Sequence, residues 1–170
     1  MDAHVKGATE PPLIEETIGA ALRRTARAHP GALALVSRHQ GVRMSYAELD
    51  GAVDAVACGL RRLRLETGDR IGIWAPNCAE WLLTQLAAAR AGLILVNVNP
   101  AYRVDELEHA LSAVGCRALV MAPAFKTSDY VAMLAEADAP DLEHRILIGE
   151  AEGFIPFETL RADPAASIAT

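Results

Sequence analysis

Asp69-Arg-Ile-Gly-Ile-Trp-Ala-Pro-Asn-Cys-Ala-Glu-Trp-Leu-Leu-Thr-Gln-Leu-Ala-Ala-Ala-Arg-Ala-Gly-Leu-Ile-Leu-Val-Asn-Val-Asn-Pro-Ala-Tyr-Arg-Val-Asp-Glu-Leu-Glu-His-Ala-Leu111 decides the fold. Arg70 to Trp74 is a short apolar run that Pro76-Asn77 breaks. Cys78 to Ala91 is rich in Ala and Leu, holds no Gly or Pro, and is followed by Gly92, a helix stop. Leu93 to Val98 is a second unbroken apolar run. Two such runs separated by a helix are hard to join as a hairpin, so the expected unit is strand, crossover helix, parallel strand. Both strands are expected to be buried on both faces.

Outward from that unit the punctuation is regular. Towards the N-terminus, Ser45-Tyr-Ala-Glu48 is a capping box, in which the serine oxygen takes the Glu48 amide while the carboxylate reaches back to the serine amide. The helix it opens places Leu49, Val53, Val56, Leu60 and Leu63 in one apolar stripe that ends before Gly68. Ala32 to Val36 and Val42 to Met44 flank Gly41 and are expected to pair as a short hairpin. Thr17 caps an earlier helix with Ile18, Ala21, Leu22 and Ala26 on its apolar side, stopped by His29-Pro30-Gly31.

Towards the C-terminus, Asp105 and Glu106 suit the first turn of a helix, where negative charge is favoured. Val104, Leu107, Leu111 and Val114 face inward there, and Gly115 ends the helix. Arg117 to Met121 is a strand broken by Pro123, and Thr127 or Ser128 caps a helix through about Ala137. Arg145 to Ile148 is a further strand, and Phe154 to Arg161 supplies a last helical turn or two. Strands alternating with helices predict an α/β layered sandwich with a mainly parallel sheet. Residues 1–12 read as a loose lead-in, 13–161 as the folded part and 162–170 as a linker cut short.

Composition narrows the function classes. A chain of 170 residues with 52% hydrophobic content suits one compact domain with a sizeable core. The net charge of −6 argues against a nucleic-acid surface, whose footprint is a concentrated basic stripe. Arg61, Arg62 and Arg64 cluster where a helix ends and favour its dipole. Cys58, Cys78 and Cys116 are widely spaced in apolar contexts with no secretory signal before them, which predicts reduced, buried thiols and a cytoplasmic protein. No apolar run approaches the ~20 residues of a transmembrane segment.

Several patterns that resemble sites have structural readings. Glu106-x-x-His109 has the spacing of a di-iron ligand pair, but such sites need further carboxylate-bearing helices and no second copy occurs. The five histidines show no metal-ligand spacing. Gly68-Asp-Arg-Ile-Gly72 precedes a strand instead of following one, so it is not a dinucleotide-binding turn. Trp74 and Trp81 bracket the Pro76-Asn77 turn as packing anchors.

Val96-Asn-Val-Asn-Pro-Ala-Tyr102, followed by Glu106-Leu-Glu-His-Ala-Leu111, closely resembles a passage of AMP-forming acyl-CoA synthetases. Matching pieces fall in the same order: Met44-Ser-Tyr-Ala-Glu-Leu49, Gly68-Asp-Arg-Ile-Gly-Ile-Trp-Ala-Pro-Asn77 and Gly115-Cys-Arg-Ala-Leu-Val120. Phe125-Lys-Thr-Ser-Asp-Tyr130 is similar to the medium-chain fatty acyl branch, and the likeness runs from about Thr17 to near Leu160. The family makes an acyl-adenylate from a carboxylate and ATP and passes the acyl group to CoA. Its members are several times longer than this chain. The resemblance therefore implies an incomplete part of an adenylate-forming N-terminal domain. ATP, Mg²⁺, CoA and a fatty acid would serve the complete enzyme.

The family's phosphate-gripping run, rich in Thr, Ser and Gly and ending in Pro-Lys, does not occur in the 170 residues. Nor do the acidic ribose motif or the small domain that carries the catalytic lysine. The resemblance thus implies a scaffold segment with no catalytic residue of its own, inactive alone, and an apolar face left open to self-association. It also points to one binding residue. Asn97 to Arg103 leaves the carboxyl end of a parallel strand, the edge where such sheets place ligands, and in relatives the nucleotide part of CoA approaches there. Arg103 is the matching positive charge for a CoA phosphate; the other reading is a turn tied by Asn97 and Asn99 with Arg103 solvated. The rival functional class is a non-enzymatic remnant or regulatory fragment acting as a protein-binding module.

Overall fold

The computed structural model describes residues 13–161 together with Gly7, Glu10 and Pro11, so the expected lead-in at 1–12 falls mostly, and the linker at 162–170 wholly, outside the described residues. In chain order the elements are α1 (Ile18–Ala28), β1 (Leu33–Ser37), β2 (Val42–Ser45), α2 (Tyr46–Arg62), β3 (Arg70–Trp74), α3 (Ala79–Ala91) and β4 (Ile94–Asn97). Then come α4 (Val104–Ser112), β5 (Cys116–Met121), β6 (Ala124–Phe125), β7 (Ser128–Asp129), α5 (Tyr130–Glu136), β8 (His144–Leu147), β9 (Ile155–Pro156) and a 3₁₀ turn at Phe157–Arg161. The boundaries follow local chemistry. Thr17 Oγ1 accepts the Ala20 amide at 3.1 Å. Both halves of the Ser45/Glu48 box are made, at 2.7 and 3.3 Å. Gly92 ends α3 at φ 73, a left-handed conformation that costs other residues energy.

Five strands form one parallel sheet in the order β4-β3-β5-β8-β9, with β1-β2 and β6-β7 as separate antiparallel ribbons. Arg70 to Ile73 pair with Ile94 to Asn97 on one side, and Ile71 to Trp74 pair with Ala118 to Met121 on the other. The chain thus leaves β3 in one direction for β4 and returns past it to β5. Right-handed crossovers in opposite directions put their helices on opposite faces of the sheet. Accordingly α1, α2 and α3 pack with one another, and α4 packs with α5. This is the expected α/β layered sandwich with a mainly parallel sheet.

Four expectations are corrected. β4 is an edge strand, exposed where β3 is buried, and Ile94 stands 53% exposed, so only β3 is covered on both faces. Ile18 is exposed and Gly19 takes its place on the inner face of α1, because a side-chain-free position lets α1 approach the Arg90 backbone. Val114 is exposed beyond the end of α4. α5 is capped by Asp129, whose carboxylate accepts the Ala132 amide at 3.0 Å; Thr127 and Ser128 belong to the small ribbon before it. Three short strands are not foreseen in the sequence: the β6-β7 ribbon, and β9, which takes the start of the helical turn expected at Phe154–Arg161 and closes the far edge beside β8.

Candidate functional site

In a sheet whose order doubles back, the crevice for a ligand lies at the carboxyl ends of the strands flanking the reversal, here β3 and β5. That crevice is filled. Trp74, the last residue of β3, is fully buried and stacks on the equally buried Tyr130 that opens α5, with ring centroids 3.6 Å apart and planes 11° from parallel. The Trp74 indole donates to the Asn99 carbonyl at 3.1 Å, and the Tyr130 hydroxyl donates to the Pro100 carbonyl at 2.5 Å. Burial pushes the Tyr130 hydroxyl up to about 12, so it remains a donor at physiological pH.

The turn these rings support carries Arg103 outward from the end of β4. Asn99 folds it on itself, its side chain accepting the Ala101 amide at 2.9 Å and its carbonyl the Tyr102 amide at 3.0 Å. Arg103 then caps α4: its amide donates to the Glu106 carboxylate at 2.7 Å, so that carboxylate serves the helix start. Its exposed guanidinium donates to the Ser128 hydroxyl at 3.1 Å. Ser128 in turn lines a hollow of about 470 Å³ together with Pro123, Ala124, Lys126, Thr127 and Asp129. Lys126 lies at the tip of the β6-β7 ribbon in a left-handed conformation, with its ammonium 5.2 Å from the Phe125 ring centre. Lys126, two hydroxyls and the Asp129 carboxylate line the hollow, and Arg103 reaches it through Ser128, so two cations are placed to receive an anionic group at its side.

Cys78, after β3, and Cys116, at the amino end of β5, are poor nucleophiles. Burial pushes the Cys78 and Cys116 thiols up to about 11, where the thiolate is scarce near neutral pH. No disulfide joins the three cysteines; Cys58 and Cys116 are buried and Cys78 is half-buried. A larger hollow of about 1060 Å³ lies at the opposite, amino edge between α1 and the end of α3. Of the arginines that line it, Arg24 is paired with Glu16 and both Arg23 and Arg90 with Asp50 and Asp54, so the charge of these three is largely neutralised in place, while Arg61 donates to the Thr67 hydroxyl. The carboxyl edge is therefore the better candidate, despite its smaller volume. Sequence reading located Arg103 but missed Ser128 and Lys126; both fall within the segment 125–130, yet nothing local says that it folds back beside Arg103.

The family model described as AMP-binding enzyme matches residues 22–168. The chain is 45% identical over 142 residues to the human medium-chain acyl-CoA ligase ACSF2, mitochondrial, covering 84% of this chain and 23% of that protein. The rat counterpart is 43% identical over 141 residues, covering 83% and 23%. Among solved structures, the inhibitor-bound N-terminal domain of FACL13 from Mycobacterium tuberculosis superposes with a TM-score of 0.78 at 26% identity, covering 91% of this chain and 38% of that one. The chain thus spans about a quarter of the length of the curated relatives it matches.

Proposed function

The chain belongs to the AMP-binding enzyme family, and we propose that it is the opening segment of the large N-terminal domain of a medium-chain fatty acyl-CoA synthetase. In the reaction so assigned, a fatty-acid carboxylate oxygen attacks the α-phosphorus of ATP and releases diphosphate. The CoA sulfur then attacks the acyl carbon and AMP leaves. Residues 13–161 contribute scaffold and one edge of the CoA site. The observation that carries this reading is Arg103, held on Ser128 beside the Lys126 hollow at the carboxyl edge, where it can meet a CoA phosphate. In this reading Mg²⁺ and the phosphate loop belong to the longer protein.

Two measurements test it. The 170-residue chain alone should show no fatty-acid-dependent exchange of labelled diphosphate into ATP above a no-protein blank. In the longer protein, Arg103→Glu should raise the KM for CoA roughly tenfold or more, the loss of one charge-assisted contact of about 1.5–3 kcal/mol, while exchange continues. An unchanged KM would return Arg103 to a solvated turn residue.

One further observation bears on partners. Leu13 is 91% exposed, Ile14 76% and Ile18 62%, an apolar strip along the entry to α1, and Ile94 marks an open sheet edge. In our reading these surfaces face later parts of the longer protein, and the free chain self-associates through them. Light scattering after size exclusion, with ANS fluorescence on the same fractions, checks this; a monodisperse monomer without dye enhancement would favour the self-sufficient binding module instead. No described helix is long and apolar enough to cross a membrane. A reducing compartment suits three cysteines that form no disulfide with one another, and we assign the cytoplasm; the mitochondrial label belongs to the relatives.

A further inference from the structure

We propose that Trp74 and Tyr130 are positioning residues: by donating to the carbonyls of Asn99 and Pro100, the stacked pair fixes the turn that presents Arg103 and so sets where a CoA phosphate is met. The inference rests on the reading of Arg103 as the CoA contact. Its own ground is geometric. A buried indole and a buried phenol each need a partner for one polar atom, and many core carbonyls would serve. Here both atoms are aimed at adjacent carbonyls of one exposed turn. The rings come from different elements, the end of β3 and the start of α5, and are locked face to face. The turn is thereby tied both to β3 and to the α5 layer.

The same two elements anchor the chain on either side of the turn. Val98, just before it, donates to the Ile73 carbonyl at 3.0 Å, one residue from Trp74. Ser128, which accepts from the Arg103 guanidinium, lies two residues before Tyr130. Arg103 is thus held at its backbone root by the turn and at its tip by the ribbon leading into Tyr130. Loosening the aromatic ties would move the cation relative to the hollow without removing any charge. Displacements of that kind are felt strongly in binding, because a phosphate contact depends on position as much as on charge.

The test uses Tyr130→Phe, which keeps the ring and its stack and removes only the hydroxyl, with Trp74→Phe as the second variant removing the indole donor. In the 170-residue chain the amides of Ala101 and Tyr102 should exchange with solvent roughly tenfold faster in either variant, with α2 and α3 unchanged. Equal exchange rates would overturn the proposal. In the longer protein, either variant should raise the KM for CoA severalfold without lowering the rate of diphosphate exchange, which needs no CoA. Added to Arg103→Ala, neither should raise it further, because the rings act through that side chain. If Arg103→Ala raises the KM but the ring variants do not, or if the effects multiply, positioning is refuted. If Arg103→Ala itself leaves the KM unchanged, the CoA reading of Arg103 fails, and the amide-exchange result still decides whether the rings hold the turn.

Discussion

Arg90→Ala should lower the stability of the fold by about 3 kcal/mol, read as the shift in the urea midpoint of the helical circular-dichroism signal. The Arg90 side chain is completely enclosed among α1, α2 and α3. One terminal nitrogen donates to the Asp50 carboxylate and to the Gly19 carbonyl, the latter at 3.3 Å. The other donates to the Asp54 carboxylate at 2.9 Å and the Asp50 carbonyl at 3.0 Å. Arg23 from α1 reaches the same pair, at 2.7 Å from Asp54 and 3.9 Å from Asp50. Two cations and two anions therefore close a neutral cluster that joins three helices. Removing one cation leaves two carboxylates facing Arg23, frees two buried carbonyls and opens a cavity.

Losing one partner of a fully buried pair costs roughly 3–5 kcal/mol. Asp50 and Asp54 retain 19% and 23% side-chain exposure, so water can reach them and the lower end of that range applies. Arg90→Met separates the contributions. It restores most of the volume but none of the donors, and should recover only the cavity part, on the order of 1 kcal/mol. A methionine variant as stable as the parent would show that the ion cluster adds nothing to stability. An alanine variant losing less than about 1 kcal/mol would show that the three helices are joined by their apolar contacts alone.

Arg90 also marks where sequence reading stops. It lies in the Ala/Leu-rich run that defined α3, near the helix end, where a basic residue looks like an ordinary answer to the dipole. Its carboxylate partners are on α2, thirty-six and forty positions earlier, and no local pattern announces them. The elements themselves were legible because their signals are local: a capping box, a stripe at helical spacing, a glycine stop. Burial of β4 was not, because a continuous apolar run records only that a strand is apolar, whereas its place at the sheet edge is set by the order of all five strands. The site divides in the same way. Arg103 could be placed at a strand's carboxyl end from the pattern around it. Ser128 and the Trp74–Tyr130 stack are brought there by crossovers, and only the folded chain shows them converging.

Gly59→Ala should destabilise the fold by about 2 kcal/mol and release the C-terminal turn at Phe157–Arg161 before the rest unfolds. On propensity alone the sign would be opposite, since alanine in place of a mid-helix glycine favours α2 by roughly 0.5–1 kcal/mol. The neighbourhood reverses it. A Cβ at residue 59 would lie 2.4 Å from the Leu160 carbonyl oxygen and 2.6 Å from its Cα. The obstacle is backbone, so no rotamer change relieves it and the 3₁₀ turn must move away. Overpacking of this kind costs typically about 1–3 kcal/mol. The segment that moves holds the nearly fully buried Phe157 and Leu160, and its carbonyls at Thr159 and Leu160 accept from Arg62 at 3.4 and 3.1 Å. These contacts weaken together, so the loss should lie near the top of that range before the helix gain is subtracted. Amide exchange at residues 155–161 should accelerate more than exchange in β3 and β5, because β9 pairs with β8 only through Ile155 and Pro156. If the alanine variant is more stable than the parent, the terminal turn yields without loss and the folded unit ends at β8. If exchange accelerates equally throughout, the turn and the sheet unfold as one unit.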